Sequence, residues 1–186
     1  MDMKLLPGGL VTLAVNNNDC IKLYDWQTSI KTSKQYKAIA AVTTQTLAVS
    51  YRSGAGIDLI DLSGGILYQL SSKLYPLSMV SRADGFLFMS ILSDDSIAKV
   101  KLEGGSTIFR HKVEQIEYPT GVAYNMDKSF IVADRDKRTL HLISPDGVWI
   151  KKLWTHPGDM EQRNKTLKGI LVGVRYLFST TIDLTN

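Results

Sequence analysis

"YPTGVAYNMDKSFIVADRDKRTLHLISPDG", Tyr118 to Gly147, alternates short apolar runs with polar joints. "GVAY" meets the turn "NMDK", "FIVAD" meets the charged loop "RDKR", and "TLHLIS" stops at "PDG". Short apolar runs bounded by Asn, Asp, Gly and Pro read as strands joined by tight turns, because those residues accept turn geometry at little cost. Within "TLHLI", Leu140 and Leu142 share one strand face, and Thr139, His141 and Ile143 share the other.

The phrase is repeated along the chain. Its second run recurs as "LAVN" from Leu13, "LAVS" from Leu47, "LFMS" from Leu87, "IVAD" from Ile131 and "YLFS" from Tyr176, at spacings of 34, 40, 44 and 45 residues. A third run follows each: "IKLYD", "IDLIDL", "IAKVKL", "LHLIS" and "IDLTN". Turns follow at Gly64-Gly65, Gly104-Gly105 and Asp146-Gly147. Several short strands per unit of roughly 40 residues predict the four-stranded blades of a β-propeller. An antiparallel sandwich also has short strands between turns, but it has no reason to repeat one phrase at blade length.

The expected fold is therefore all-β, with about four to five four-stranded blades of an incomplete, six-bladed type of ring. The whole of 1–186 reads as one propeller domain or fragment, with blades near 1–35, 36–75, 76–115 and 116–157 and a partial one over 158–186. The last unit stops after its third strand, which would leave ladder groups unpaired. Three closures are open: a piece of a longer propeller, a small five-unit ring, or an arc completed by another chain. The first is favoured.

Composition narrows the class. Of 186 residues, 44% are hydrophobic and 22% charged, as in a folded protein with its own core. No stretch approaches the roughly 20 apolar residues that span a bilayer, and "MDMKLLPGGL" lacks the features of a signal peptide. Cys20 is the single cysteine, which excludes an internal disulfide and a zinc site built on several thiolates. A cytoplasmic protein is the expectation. A net charge of +4 is too small to argue for nucleic acid by itself.

The opening stretch resembles the NHL repeat, whose pattern runs from Pro-x-Gly-Val-Ala through a Val-x-Asp core to a strand ending in Gly. Pro119, Gly121, Val122, Ala123, Val132, Asp134, Leu142 and Gly147 occupy those places. "LPGGLVTLAVNNNDCIKLYD" resembles a degenerate copy with Asn16 at the core Asp, while the middle units put Ser50 and Ser90 there. The resemblance implies a C-terminal propeller like that of tripartite-motif proteins, where the propeller recruits a protein or RNA target and a RING supplies ubiquitin-ligase activity. This chain has no RING or B-box cysteine–histidine ladder and no heptads, so any such activity would reside in sequence or a partner beyond it.

Residues suited to chemistry are sparse. His111, His141 and His156 are not at metal-ligand spacing, and His141 reads as a surface or inter-blade residue. "DRDKR" holds two carboxylates, but lacks the further oxygen ligands, turn Gly and terminal Glu of a calcium loop. Asp134 is expected to cap that loop by accepting backbone amides. No phosphate-binding glycine loop or nucleophile elbow is present. Calcium-dependent propeller lactonases carry acids on inner strands; "KAIAAV", "LSMVS", "TGVAY" and "KGILVG" carry none. No enzyme activity, cofactor or metal is expected, with a metal-dependent propeller hydrolase holding its ligands on missing blades as an alternative.

Loops joining second to third strands, and one blade to the next, should open on the same face and carry binding. Their net charge is +3, in patches of both signs. Candidate partner-binding residues on this face are Lys31, Lys34, Tyr36, Arg52, Arg135, Lys137 and Arg138. A protein partner is expected; single-stranded RNA is the alternative, opposed by Asp94 and Asp95, which lie between the basic spots and repel phosphate. Of Trp149 and Trp154, blade packing is expected to occupy one.

Overall fold

The computed structural model describes residues 3–5, 12–15, 20–23, 29–32, 34–51, 54–70, 73–82, 84–91, 93–125 and 127–155. They form four antiparallel four-stranded sheets, each a meander in chain order. The first holds β1 (Met3–Leu5), β2 (Thr12–Val15), β3 (Cys20–Leu23) and β4 (Ser29–Lys31). The second holds β5 (Tyr36–Ala41), β6 (Thr46–Tyr51), β7 (Ile57–Asp61) and β8 (Ile66–Leu70). The third holds β9 (Pro76–Arg82), β10 (Phe86–Ile91), β11 (Ser96–Lys101) and β12 (Thr107–His111). The fourth holds β13 (Pro119–Tyr124), β14 (Phe130–Asp134), β15 (Thr139–Ile143) and β16 (Trp149–Thr155). The inner strands β1, β5, β9 and β13 neighbour one another, and the sheets stack face to face as the blades of a β-propeller. The partial unit over 158–186 lies outside the described residues. No described helix is long and apolar enough to cross a membrane.

Stacked blades bury both faces of their inner strands. Ala38, Ala40 and Ala48 of the second blade meet Met79, Leu87, Met89 and Ile91 of the third. The alanines leave the space that the longer side chains fill. Between the third and fourth blades, Phe88 stacks on Phe130 with ring centroids 3.6 Å apart, among Ile97, Val122, Val132 and Ile143. Each such buried aromatic or aliphatic side chain contributes on the order of 1.5–3 kcal/mol.

A bulge at the start of the inner strands β5, β9 and β13 aligns the second, third and fourth blades. Pairing skips Lys37 between Tyr36 and Ala38, Leu77 between Pro76 and Ser78, and Thr120 between Pro119 and Gly121. The partners opposite the first residue are Tyr51, Ile91 and Asp134. The place of Asp134 is thus taken by Tyr51 and Ile91, not by Ser50 and Ser90, which correspond to Ala133. One residue of slip changes the strand face. Ser50 and Ser90 point to the following blade, where their hydroxyls donate to Pro76 O at 3.5 Å and Thr120 O at 3.0 Å. They stitch blades together instead of capping loops.

The Gly turns are hairpins joining third to fourth strands. Gly147 has φ +85, and a Cβ there would lie 2.7 Å from the Phe109 ring and 2.8 Å from His111. Its carbonyl also accepts from His111 Nε2 at 2.9 Å, so the turn of one blade is pressed onto the outer strand of the previous one. Gly147→Ala is expected to cost about 2–3 kcal/mol, combining backbone strain with overpacking. Gly85→Ala, at φ +81 with nothing within 4 Å, is the control; it should cost about 1 kcal/mol. Urea unfolding midpoints compare the two, and equal losses would remove the inter-blade contact from the explanation.

Candidate functional site

Antiparallel order places the loops after β6, β10 and β14 at the same end of the blades as the crossings into β5, β9 and β13. Hydrogen bonds tie the two sets together: Gly56 N donates to Leu74 O at 3.1 Å, and Arg135 N to Tyr118 O at 3.0 Å. This is the loop face, and each of two blades holds one fully buried carboxylate beneath it.

In the second blade that carboxylate is Asp58, on β7. Alternation in "IDLID" puts it on the face of Ile60, toward the first blade, where a bare charge would be costly. Three donors answer it: Tyr51 Oη at 2.7 Å, Tyr36 Oη at 2.8 Å and Lys34 Nζ at 3.1 Å. Lys34 also donates to Tyr51 Oη at 2.9 Å, and Gln69 Nε2 donates to the same oxygen. The bond to Tyr51, with the charge of Asp58, pushes the Lys34 ammonium pKa up. Burial, then the bond to Asp58, pushes the Tyr36 phenol well above its usual range. The result is a hydrogen-bonded cluster that latches the crossing into β5 onto β7.

In the fourth blade the carboxylate is Asp134, at the end of β14. Its oxygens accept from the backbone N–H of Glu117 at 2.7 Å, Tyr118 at 3.2 Å, Asp136 at 3.1 Å and Lys137 at 3.2 Å. It caps its own loop and fastens the crossing from the third blade. On this base, Arg135 lies over the Tyr118 ring, Cζ 3.7 Å from its centroid, and pairs with Asp136 at 2.8 Å. Lys137 Nζ reaches Gln115 O at 3.2 Å. Arg138 adopts φ 56 just before β15, as Asp95 does with φ 54 before β11.

His141 on β15 stands where Asp58 stands on β7, opposite Val132 as Asp58 is opposite Val49. It is a buried inter-blade histidine. Trp149 Nε1 donates to its Nδ1 at 3.0 Å, so the ring proton sits on Nε2, 2.5 Å from Thr139 Oγ1. Trp149 packs against the cluster shared with the third blade, and Trp154 is likewise half-buried. Burial pushes the His141 pKa down from 6.5; Asp134 opposes this, and Lys137 and Lys152 add to it. Above pH 6.5 the imidazole is neutral folded or unfolded. Below that, the unfolded chain takes up a proton that the folded one resists, so stability falls with pH until His141 itself protonates. Denaturant midpoints between pH 7.5 and 5 should therefore drop more steeply in the wild type than in His141→Gln; equal slopes would refute the assignment.

Of the residues expected on this face, Arg135 and Lys137 are exposed and Arg138 half-buried, while Lys34 is tied to Asp58. Tyr36 is a correction. It is 4% exposed with its hydroxyl on Asp58, because the bulge turns it into the space between blades, and it offers no surface for stacking. Arg52 and the side chain of Lys31 lie outside the described residues. Between the two clusters, Asp94 accepts from Ser96 at 2.6 Å and pairs with Arg110 at 2.8 Å. Sequence reading passed over Asp58, Tyr51 and Tyr118. The signal for Asp58 was present: a carboxylate on an apolar strand face requires a buried donor. Among the described residues no group of three or more His, Cys, Asp or Glu side chains could hold a metal ion.

The class these features define is the β-propeller, and comparison with solved structures agrees. The chain is similar to virginiamycin B lyase from Staphylococcus aureus, at TM-score 0.65 and 15% identity over 84% of this chain and 55% of that one. It is similar to hydrazine synthase of Kuenenia stuttgartiensis, at TM-score 0.64 and 12% identity over 83% and 49%. A protein of unknown function from Bacteroides caccae matches at TM-score 0.53 and 15% identity over 83% and 57%. The chain thus spans about half the length of these proteins, and at such identities the likeness is one of fold. No family model matches the sequence, and no curated protein matches it.

Proposed function

We propose that the chain is a non-catalytic binding platform whose loop face, centred on Tyr118 and Arg135, recognises a protein partner. One observation carries this reading. The buried carboxylates beneath the face are consumed by the chain's own donors, Asp58 by three side chains and Asp134 by four backbone amides, while Arg135 is held over Tyr118 and exposed. Carboxylates so engaged fix loops instead of meeting substrate, and arginine and tyrosine on a rigid base are the side chains on which protein interfaces concentrate binding energy. The likeness of residues 118–147 to an NHL repeat supports the same reading. It extends it to the target-recruiting propeller of a tripartite-motif ubiquitin ligase, acting in the cytoplasm. A hydrolase with metal ligands on inner strands draws no support from β5, β9 and β13, which carry no acid.

Single-stranded RNA is the second reading, favoured by the same aromatic–cation pair beside Lys137. Peptides selected from a displayed library on the immobilised chain, then titrated calorimetrically, distinguish the two. The protein reading expects Tyr118→Ala with Arg135→Ala to weaken a selected peptide at least tenfold. An oligouridine that binds instead, with steep salt dependence abolished by Arg135→Glu with Lys137→Glu, would replace it with the RNA reading.

A further inference from the structure

At the other end of the blades, away from the loop face, the inner strands of the third and fourth blades finish at Arg82 and Tyr124. Here polar atoms are buried and unused. Arg82 Nη1 and Tyr124 Oη are both shielded from solvent and have no hydrogen-bond partner among the described residues. The two side chains are neighbours, with Arg82 Cζ 5.7 Å from the Tyr124 ring centroid. Buried polar groups in folded proteins are overwhelmingly paired, and an orphan commonly marks an ion or water that belongs there. Two adjacent orphans on neighbouring blades define a site.

The chemistry of the pair selects its occupant. A guanidinium only donates, and a phenol donates one proton. Both therefore want an acceptor, and the fixed positive charge of Arg82 wants an anionic one. Burial pushes the phenol pKa up, so Tyr124 keeps its proton to donate. The other groups here are spoken for or opposed. Ser81 Oγ donates to Phe86 O at 3.3 Å, and Asp84 accepts from Phe86 N at 3.4 Å. Asp84 forms no ion pair with Arg82 among the described residues; at Tyr124 its charge acts more strongly than that of Arg82, so an occupant has to sit on the Arg82 side of the phenol. Tyr124 is braced from behind by Phe130, ring centroids 4.8 Å apart, so the phenol is held in place.

We propose that Arg82 and Tyr124 form a binding site for a small oxyanion, a carboxylate or a phosphate-type group, at the inner-strand end opposite the loop face. Bound there, one ligand oxygen accepts from Arg82 Nη1 and the same or a neighbouring oxygen accepts from Tyr124 Oη. The site is independent of Tyr118 and Arg135, so its fate does not decide theirs.

The test is thermal unfolding of the full chain at constant ionic strength, with sodium phosphate or sodium acetate replacing sodium chloride, alongside line broadening of phosphate in phosphorus NMR. The wild type should show a saturable rise in Tm of about 5 °C with at least one of the two anions. Arg82→Met should abolish it, and in chloride alone should melt close to the wild type, since the buried Nη1 has no partner to lose. Tyr124→Phe should weaken binding roughly three- to tenfold, and Lys151→Met, on exposed β16, should change nothing. Stronger phosphate or stronger acetate binding identifies the oxyanion class. A rise that never saturates, or one equal in all variants, would mean that water satisfies these groups and would overturn the proposal. Should Arg82→Met fail to melt cooperatively, Tyr124→Phe decides.

Discussion

Asp134→Ala is expected to remove about 3–5 kcal/mol of stability, the range for stripping the partner from buried, charge-assisted hydrogen bonds. For a chain of 186 residues, that corresponds to a fall in Tm of roughly 6–20 °C. The size follows from how many donors share one group. Removing the carboxylate orphans the amides of Glu117, Tyr118, Asp136 and Lys137 together, and these belong to two segments: the crossing from the third blade and the loop after β14. Asp134→Asn keeps one acceptor oxygen and should cost about half as much. Calorimetry of the three proteins gives the order; a loss below about 1 kcal/mol in Asp134→Ala would mean that water replaces the carboxylate, and the capping role would fall. The same variant should also weaken a peptide that uses Arg135, because the platform under Tyr118 is no longer fixed.

Asp58→Ala is the second large effect, again about 3–5 kcal/mol. It leaves the buried Tyr36 hydroxyl without an acceptor and opens a cavity beneath Tyr51 and Lys34. Lys34→Met should cost only about 1 kcal/mol, since its ammonium is partly solvated and its ion pair is screened. The double-mutant cycle of Lys34→Met with Asp58→Asn measures the coupling. A positive coupling of about 1 kcal/mol or more is expected; additivity would show that Tyr36 and Tyr51 alone stabilise the carboxylate.

How much of this was readable beforehand depended on how local the cause was. The propeller itself lay in the period, because turn residues at fixed offsets between apolar runs act within a few residues of chain. The cap by Asp134 was legible for the same reason: a carboxylate at a strand end, followed by a short charged loop, has amides two and three residues away. Its two other partners, Glu117 and Tyr118, come from a different strand crossing and could not be seen along the chain.

Repetition alone misled where strand register mattered. Ser50 and Ser90 matched Asp134 in the written phrase, yet the ladder pairs them with Ala38 and Ser78, as Ala133 pairs with Gly121, so that Tyr51 and Ile91 take the place of Asp134 and the serines reach the next blade. Since strand faces alternate, one residue of error exchanges a loop cap for an inter-blade tie. Tyr36 failed as a surface residue for a related reason, drawn inward by Asp58, a residue 22 positions away.

By itself, then, the amino-acid order determined the all-β class, the four-strand unit, the turns and the face on which loops collect, all of them consequences of short-range alternation and turn chemistry. Tertiary structure decided which polar groups are spent and which are left over. Asp58, Asp134 and His141 are satisfied, and Arg82 and Tyr124 are not, because each outcome depends on what a neighbouring strand or blade brings within about 3 Å, the reach of a hydrogen bond.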